Sequence, residues 1–175
     1  MRGRFLAGAV VLACVAAAPT FGADPTVAAA PAGIVIARDT GPERVVTADE
    51  LAALAAVQVT VAVEPGHGPA QRSYEGPLLW TVLDHAGAID TAKVRDQVRQ
   101  TVLITGRDGY TAILALGEIA PEFEGKQVII AERMDGQPLS PEHLRIVVPG
   151  DKRGGRGVRD IVRILVAAAP RAEAR

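Results

Sequence analysis

Alternation of apolar and polar residues along the chain predicts a protein built mostly of short strands. The clearest case lies at residues 57–63, where four valines alternate with Gln58, Thr60 and Ala62. Because successive side chains of a strand point to opposite faces, this pattern is typical of a strand with one buried face. Six further apolar runs predict the other strands: residues 34–38, 100–105, 110–116, 127–132, 144–148 and 161–166.

Signals for helices are fewer. A capping box begins at Thr47, whose hydroxyl is placed to accept from the Glu50 N–H while the Glu50 carboxylate accepts from the Thr47 N–H. Apolar residues within 51–55 then form one side of a short helix. A second helix is predicted over residues 76–87, since it begins with a Gly-Pro pair and ends at a glycine. Residues 118–123 predict one irregular helical turn.

Glycine and proline mark the connections between these elements. Residues 64–73 contain two glycines and two prolines and predict a loop without regular structure. The Asp-Gly pair within residues 106–109 predicts a hairpin, and residues 134–136 predict another turn. Many strands with a few short helices, and no internal repeat, indicate an α+β domain with a mixed β-sheet.

The first residues have the pattern of a secretory signal peptide. Two arginines within the first four residues precede an uninterrupted apolar run over residues 5–18, and the first acidic residue is Asp24. This run is too short for a comfortable membrane span. We therefore predict a signal peptide over residues 1–23, a periplasmic or secreted location, and no membrane span in the mature chain. The alternative is a lipoprotein signal, in which Cys14 would carry a lipid anchor.

Cleavage of this segment would leave one domain of ordinary size. Residues 24–33 are rich in alanine and proline and predict a flexible leader. Residues 34–168 carry the predicted strands and helices, and residues 169–175 predict a disordered tail. The remaining length of about 150 residues suits a single hydrophobic core.

Composition and charge narrow the classes of function. Cleavage would remove the only cysteine, Cys14, so the mature domain would contain neither a disulfide nor a thiolate. The whole chain has 19 basic and 20 acidic residues, and loss of Arg2 and Arg4 would leave 17 basic against 20 acidic. A net negative charge of this kind argues against nucleic acid as a partner.

The densest basic stretch is VVPGDKRGGRGVRDIVRILV, residues 147–166, which connects the last two predicted strands. Its glycines let consecutive backbone N–H groups turn toward one point, and its cationic side chains would surround that point with positive charge. The alternative interpretation is a solvated connection whose charges serve solubility. The candidate residues for binding an anionic cofactor are Gly150, Lys152, Gly155, Arg156 and Arg159, together with Arg72 and His67 from the loop at residues 64–73.

Five motifs follow one another from residue 74 onward. They are Y-x-G-P-L-L-W-x-V-L at residues 74–83, G-R-D-G-Y-T at 106–111, L-G-E at 116–118, M-D-G-Q-P-L at 134–139, and L-R-I-V-V-P-G-D with G-G-R-G-V-R between 144 and 159. This series resembles the molybdopterin-binding domain of sulfite-oxidase-type oxidoreductases. The resemblance implies that family's mixed α+β fold and molybdopterin as the cofactor, with loops at one end of the sheet holding the pterin and its phosphate.

Two departures from the family pattern bear on function. Members that perform the chemistry hold molybdenum through one cysteine thiolate, in the loop that corresponds here to residues 64–73, and this loop contains no cysteine. His67 is the nearest candidate ligand, but a single histidine between two glycines is more typical of a solvent-facing loop, so no metal ligand is assigned. Arg159 and Asp160 stand where the family usually has lysine and tryptophan, and only the positive charge is retained.

These observations leave three hypotheses. We favour an exported, non-catalytic molybdopterin-binding-like domain that binds a small anion, a pterin-like ligand or a protein partner. The alternative is an active molybdopterin-dependent oxidoreductase of the sulfite oxidase type, whose molybdenum would not be held by a protein thiolate. The third is a structural or interaction domain whose pocket is closed by side chains. The sequence identifies no catalytic residue for any of them.

Overall fold

The computed structural model describes residues 33–62 and 71–168. Its elements follow in chain order: β1 (Gly33–Arg38), β2 (Arg44–Thr47), α1 (Ala48–Ala52), β3 (Ala56–Ala62), β4 (Gln71–Pro77), α2 (Leu79–His85), α3 (Val94–Gln97), β5 (Gln100–Gly106), β6 (Thr111–Ala115), α4 (Leu116–Ile119), β7 (Ile129–Ala131), β8 (Arg133–Met134), β9 (Gln137–Pro138), β10 (Arg145–Val147), a 3-10 helix (Gly154–Arg156) and β11 (Ile161–Ala168). The predicted signal peptide, most of the leader and the tail lie outside the described residues. Within those residues no helix is long and apolar enough to span a bilayer.

The larger sheet has five strands in the order β2-β1-β11-β5-β6. β1 and β11 run parallel, and the other neighbours run antiparallel. The register places Ile36, Ile164 and Ile104 in one row on the buried face. Leu79 and Leu83 of α2 belong to the same apolar core. This mixed sheet with a few short helices confirms the predicted α+β fold.

A second layer of strands carries a smaller core. β3, β4, β8 and β9 form a four-stranded antiparallel sheet, and β7 pairs with β10. β4 and β7 approach so closely at Gly76 that an added Cβ would lie 2.0 Å from the Ile130 carbonyl oxygen. The buried residues of this core are Val59, Tyr74, Ile129, Ala131 and Val147.

The sequence-based boundaries around β4 are wrong. The pattern predicts a loop through residue 73 and a helix from Gly76, whereas seven consecutive pairs with β3 keep residues 71–77 in a strand. A proline ends this strand, because proline has no N–H to donate to a sheet. The helix begins only at Leu79, whose N–H donates to the Val128 carbonyl at 2.8 Å. β2 and α3 are four residues long, too short to show a periodic pattern, and were not predicted.

The predicted capping box is confirmed at the start of α1. The Glu50 N–H donates to the Thr47 hydroxyl at 3.3 Å, and the Thr47 N–H donates to the Glu50 carboxylate at 2.9 Å. The hydrogen bond from the Thr47 N–H, with another from Arg44 at 2.8 Å, lowers the pKa of Glu50 to about 2. The box therefore fixes the point at which β2 ends and α1 begins.

Replacing Thr47 with alanine is expected to lower the free energy of unfolding by about 1 kcal/mol, because α1 loses its N-cap. Thr47→Ser keeps the hydroxyl and should remain close to wild type. Urea unfolding followed by circular dichroism measures both variants. Equal losses in the two would contradict the assignment of this stability to the cap.

Candidate anion-binding site

A cavity of about 540 Å³ opens where β3, β4 and β8 meet β10 and the Gly-rich loop, residues 148–160, that follows β10. We call it the basic cavity, because five cationic side chains line it: Arg72, Arg145, Lys152, Arg153 and Arg159. Asp151 is the only acidic residue among its described lining residues, and two oxygens of that carboxylate are already bonded to Arg156. The described lining therefore has a surplus of positive charge, which favours an anionic ligand.

Arg145 is a half-buried cation that lines the basic cavity from β10. Its Nε is shielded from solvent and has no hydrogen-bond partner among the described residues. Its guanidinium carbon lies 5.2 Å from the centre of the Tyr74 ring, a cation–π contact. Burial is the largest cause that lowers the pKa of Arg145, and the positive charges of Arg159 and Arg72 lower it further. An unpaired buried donor costs free energy, and an anionic oxygen would recover part of that cost.

Arg72 lines the cavity from β4 and is oriented by the turn between β8 and β9. Its Nη1 donates to the Asp135 carboxylate at 3.3 Å and contacts the Met134 sulfur at 3.4 Å. The Ser73 N–H donates a hydrogen bond to the same carboxylate at 3.0 Å. Asp135 has a φ of +50°, a value that aspartate tolerates better than most residues. The predicted turn at residues 134–136 thus positions a cation as well as joining two strands.

Lys152 and Arg159 line the cavity from the Gly-rich loop, and both side chains are exposed. Neither forms an ion pair with any residue in the described part of the chain. The Arg159 backbone is held on two sides, by a bridge to Arg145 and by Gly106, where a Cβ would lie 2.6 Å from the Arg159 carbonyl oxygen. The backbone is therefore fixed, while the two cationic groups remain available to a ligand.

Asp160 follows Arg159 but is not among the residues that line the basic cavity. It adopts a φ of +51°, and its Oδ1 lies 2.9 Å from Nδ1 of His143. Its backbone carbonyl accepts from the Arg107 N–H at 2.9 Å. The backbone contact with Arg107 anchors the end of the Gly-rich loop to the hairpin between β5 and β6.

Arg156, predicted to contact an anion, instead has two carboxylate partners within the protein. Its Nε and Nη2 bind Asp151 at 2.9 and 2.6 Å, and its Nη1 binds Glu118 at 2.9 Å. The hydrogen bond from Arg156 lowers the pKa of Asp151. Burial alone would raise the pKa of Glu118, but Arg156 and the Ala115 N–H bring it below its usual value. Arg156 thus ties the Gly-rich loop to α4, and a direct contact with the ligand stays a prediction.

The remaining predicted residues lie around the cavity or outside the described residues. Gly150 has a φ of +84°, which favours glycine, and the Gly155 carbonyl accepts from the Tyr110 hydroxyl at 2.6 Å. Gly154 and Gly157, rather than these two glycines, line the cavity. His67 lies outside the described residues. The roles of Gly150, Gly155 and His67 in binding a cofactor therefore stay predictions.

Arg145 and Tyr74 are the residues that sequence reasoning missed. Tyr74 begins a recognised motif, and Arg145 interrupts the apolar run Leu-Arg-Ile-Val-Val at residues 144–148. A charged residue inside a strand that is otherwise buried was the available signal, because such a charge is costly unless it is paired or functional.

Acid is expected to weaken the contacts of Arg156. Since Asp151 and Glu118 have lowered pKa values, their contribution to stability is present above the ordinary carboxyl pKa and is lost as pH falls through the lowered values. Arg156→Met should cost about 2 kcal/mol of unfolding free energy at pH 7. Urea unfolding should show a much smaller difference from wild type near pH 2.

Arg163→Met is the matched control, because among the described residues Arg163 pairs with one carboxylate, that of the exposed Glu43, at 2.6 Å. Its effect on stability at neutral pH should be clearly smaller. A difference between Arg156→Met and wild type that stayed constant from pH 7 to acid would contradict the role of the two carboxylates.

Comparison with known proteins identifies a family and similar solved structures. A family model described as oxidoreductase molybdopterin binding domain matches residues 34–174. Among solved structures, the chain is similar to the sulfane dehydrogenase SoxCD from Paracoccus pantotrophus, with a TM-score of 0.58 and 18% sequence identity. That similarity covers 77% of this chain and 37% of the solved chain, so it supports the fold alone. No curated protein sequence matches this chain.

Proposed function

The chain belongs to the family of oxidoreductase molybdopterin-binding domains, and on this premise we propose that its basic cavity binds the phosphate end of a molybdopterin-type pterin without catalysing a redox reaction. The main support for the proposal is that the buried Nε of Arg145 has no hydrogen-bond partner among the described residues. Arg72, Lys152 and Arg159 line the same cavity. Four cationic groups around one space suit a phosphate better than a neutral ligand.

The described residues fit the anionic part of this cofactor. Arg145 and Arg159 offer planar, multidentate donors, and Lys152 offers a compact positive charge. The Tyr74 ring, already in contact with Arg145, keeps that guanidinium in place. When bound, molybdopterin carries the molybdenum on which the family's redox chemistry takes place. The residues named here would bind and orient its phosphate, and none of them is positioned to move a proton.

The lack of a cysteine in the loop at residues 64–73 supports the non-catalytic part of the proposal. Residues 64–73, which correspond to the family's metal-binding loop, contain no cysteine, and the only cysteine is Cys14. Within residues 33–62 and 71–168, no three His, Cys, Asp or Glu side chains are grouped to hold a metal ion. The alternative, an active oxidoreductase, requires another ligand such as His67, or solvent alone, in the place of the soft thiolate.

We also propose that the domain acts after export. Two arginines followed by the apolar run at residues 5–18 support a cleaved signal, with a mature chain beginning near Asp24. Mass spectrometry of the protein recovered from the periplasm or medium tests this proposal. A mature chain that began at Cys14 with an attached lipid would favour the lipoprotein alternative, and an intact Met1 in the cytoplasm would contradict export.

Calorimetric titration with inorganic phosphate tests the basic cavity directly. Arg159→Gln removes one charge-assisted donor and should weaken phosphate binding roughly tenfold. Arg95→Gln, an exposed arginine on α3 that does not line the cavity, is the matched control and should bind phosphate as the wild type does. Wild-type binding that both variants retained equally would contradict the cavity as the site.

A further inference from the structure

β3 forms an edge of the four-stranded sheet without the features that usually protect such an edge. Its seven residues, Ala56–Ala62, read AVQVTVA and include no charge and no proline. Edge strands in natural proteins are commonly kept short or interrupted by lysine, proline or a bulge. β3 pairs with β4 over its whole length without a register shift, and no described strand pairs with its other side. Within residues 33–62 and 71–168, one row of the backbone donors and acceptors of β3 therefore has no partner strand.

The other outermost strands of the two larger sheets, β9, β2 and β6, have features that protect an edge. β9 has two residues, one of them Pro138. β2 begins with Arg44, which is paired with Glu50. β6 has five residues and lies against the 3-10 helix. Among the described edges, β3 is thus the longest that has neither a charge nor a proline.

We propose that β3 pairs in antiparallel orientation with β3 of a second copy of this chain. The sequence AVQVTVA reads almost identically in both directions, with Val59 at its centre. Pairing about Val59 places Val57 opposite Val61 of the partner subunit and Gln58 opposite Thr60 of the partner subunit. Such a two-fold interface is self-complementary, and no like charges face each other across it.

The same register joins the buried faces of the two sheets. Val59 is buried opposite Tyr74 in the smaller core, whereas Gln58 and Thr60 are exposed on the other face. In this register odd-numbered residues face odd-numbered residues of the partner strand, and even-numbered residues face even-numbered ones. Because side chains alternate along a strand, both smaller cores then lie on the same side of an eight-stranded sheet. Val61 also lines the basic cavity, so each protomer's cavity would adjoin the shared strand pair. The dimer does not depend on which ligand that cavity binds.

A charge exchange on the exposed face tests both the dimer and its register. Gln58→Lys/Thr60→Lys places lysine opposite lysine at two points, whereas Gln58→Lys/Thr60→Glu places lysine opposite glutamate at the same two points. Both variants change exposed positions and both remove the Gln58–Ser73 hydrogen bond of 2.6 Å. They are therefore matched for the positions changed and for the loss of this hydrogen bond. Sedimentation equilibrium of the full chain, as processed by its host, measures the dissociation constant of the dimer.

We expect a dimeric wild type, a dissociation constant raised roughly tenfold or more in the lysine–lysine variant, and a value near wild type in the lysine–glutamate variant. Circular dichroism and thermal unfolding should show that both variants are folded. A wild type that stayed monomeric at about 100 µM would overturn the proposal, since a specific interface is occupied at that concentration. Folded variants with equal dissociation constants would also overturn it, because the proposed register requires them to differ.

Discussion

Arg145→Met is expected to weaken binding of inorganic phosphate about 10- to 100-fold and, at the same time, to raise the melting temperature of the domain. Arg145 is half-buried, its Nε has no partner among the described residues, and burial lowers its pKa. Each of these features makes the free protein less stable than it would be with an apolar side chain of similar length. The same features make the guanidinium a strong partner for an entering anion. A substitution that lowers phosphate affinity but raises the melting temperature indicates that the original residue serves binding rather than stability.

Titration calorimetry and differential scanning calorimetry measure the two quantities on one preparation. Arg133→Met is a suitable control, because Arg133 is exposed on β8 and does not line the basic cavity. It should leave phosphate binding unchanged. If Arg145→Met lowered the melting temperature and left phosphate affinity intact, Arg145 would be a structural residue and the proposed cavity would lose its central group.

Gly76→Ala should have the largest effect on stability, with a loss of about 3 kcal/mol or more in unfolding free energy. The added Cβ would lie 2.0 Å from the Ile130 carbonyl oxygen and 3.1 Å from the Ala131 Cα. Both neighbours are backbone atoms of a buried strand, so β4 and β7 would have to separate. Since Tyr74 lies on β4, that separation would also disturb the contact between Tyr74 and Arg145.

Gly154→Ala provides the matched control for this substitution. A Cβ at Gly154 meets no atom within 4 Å, so only a small change in stability is expected. Urea unfolding of the two variants gives the comparison. A Gly76→Ala domain as stable as the wild type would show that the two strands can move apart freely, contrary to the packing described.

The strands were predictable where one face is buried and the other is exposed. The alternating valines of residues 57–63 identify β3, since burial of one sheet face dictates alternation. The nearly continuous apolar run at residues 161–166 identifies β11, a central strand between β1 and β5. β4 was missed because its residues Gln-Arg-Ser-Tyr-Glu-Gly-Pro lack that pattern. This strand is specified by partners distant in sequence, β3 on one side and β8 on the other.

The cationic residues of the Gly-rich loop were predictable from the sequence, whereas Arg145 on β10 was not. Lys152 and Arg159 stand in a local run of glycine and basic residues, which is visible without a structure. Arg156 belongs to the same run, but its neighbours Asp151 and Glu118 engage its guanidinium, and one of them is distant in sequence. Arg145 depends on the packing of β10 against Tyr74, and a linear pattern does not encode that contact.

We propose that this domain keeps an anion-binding cavity of the family, although its loop at residues 64–73 lacks the cysteine that holds the family's metal. The most direct measurement uses one sample of the protein, exported by its own signal in a host that makes molybdopterin. Oxidised-pterin fluorescence and mass spectrometry would then quantify pterin and molybdenum in that sample. We predict pterin in stoichiometric amount, reduced strongly in Arg145→Met, with far less molybdenum than pterin. Stoichiometric molybdenum, or no pterin at all, would contradict the account.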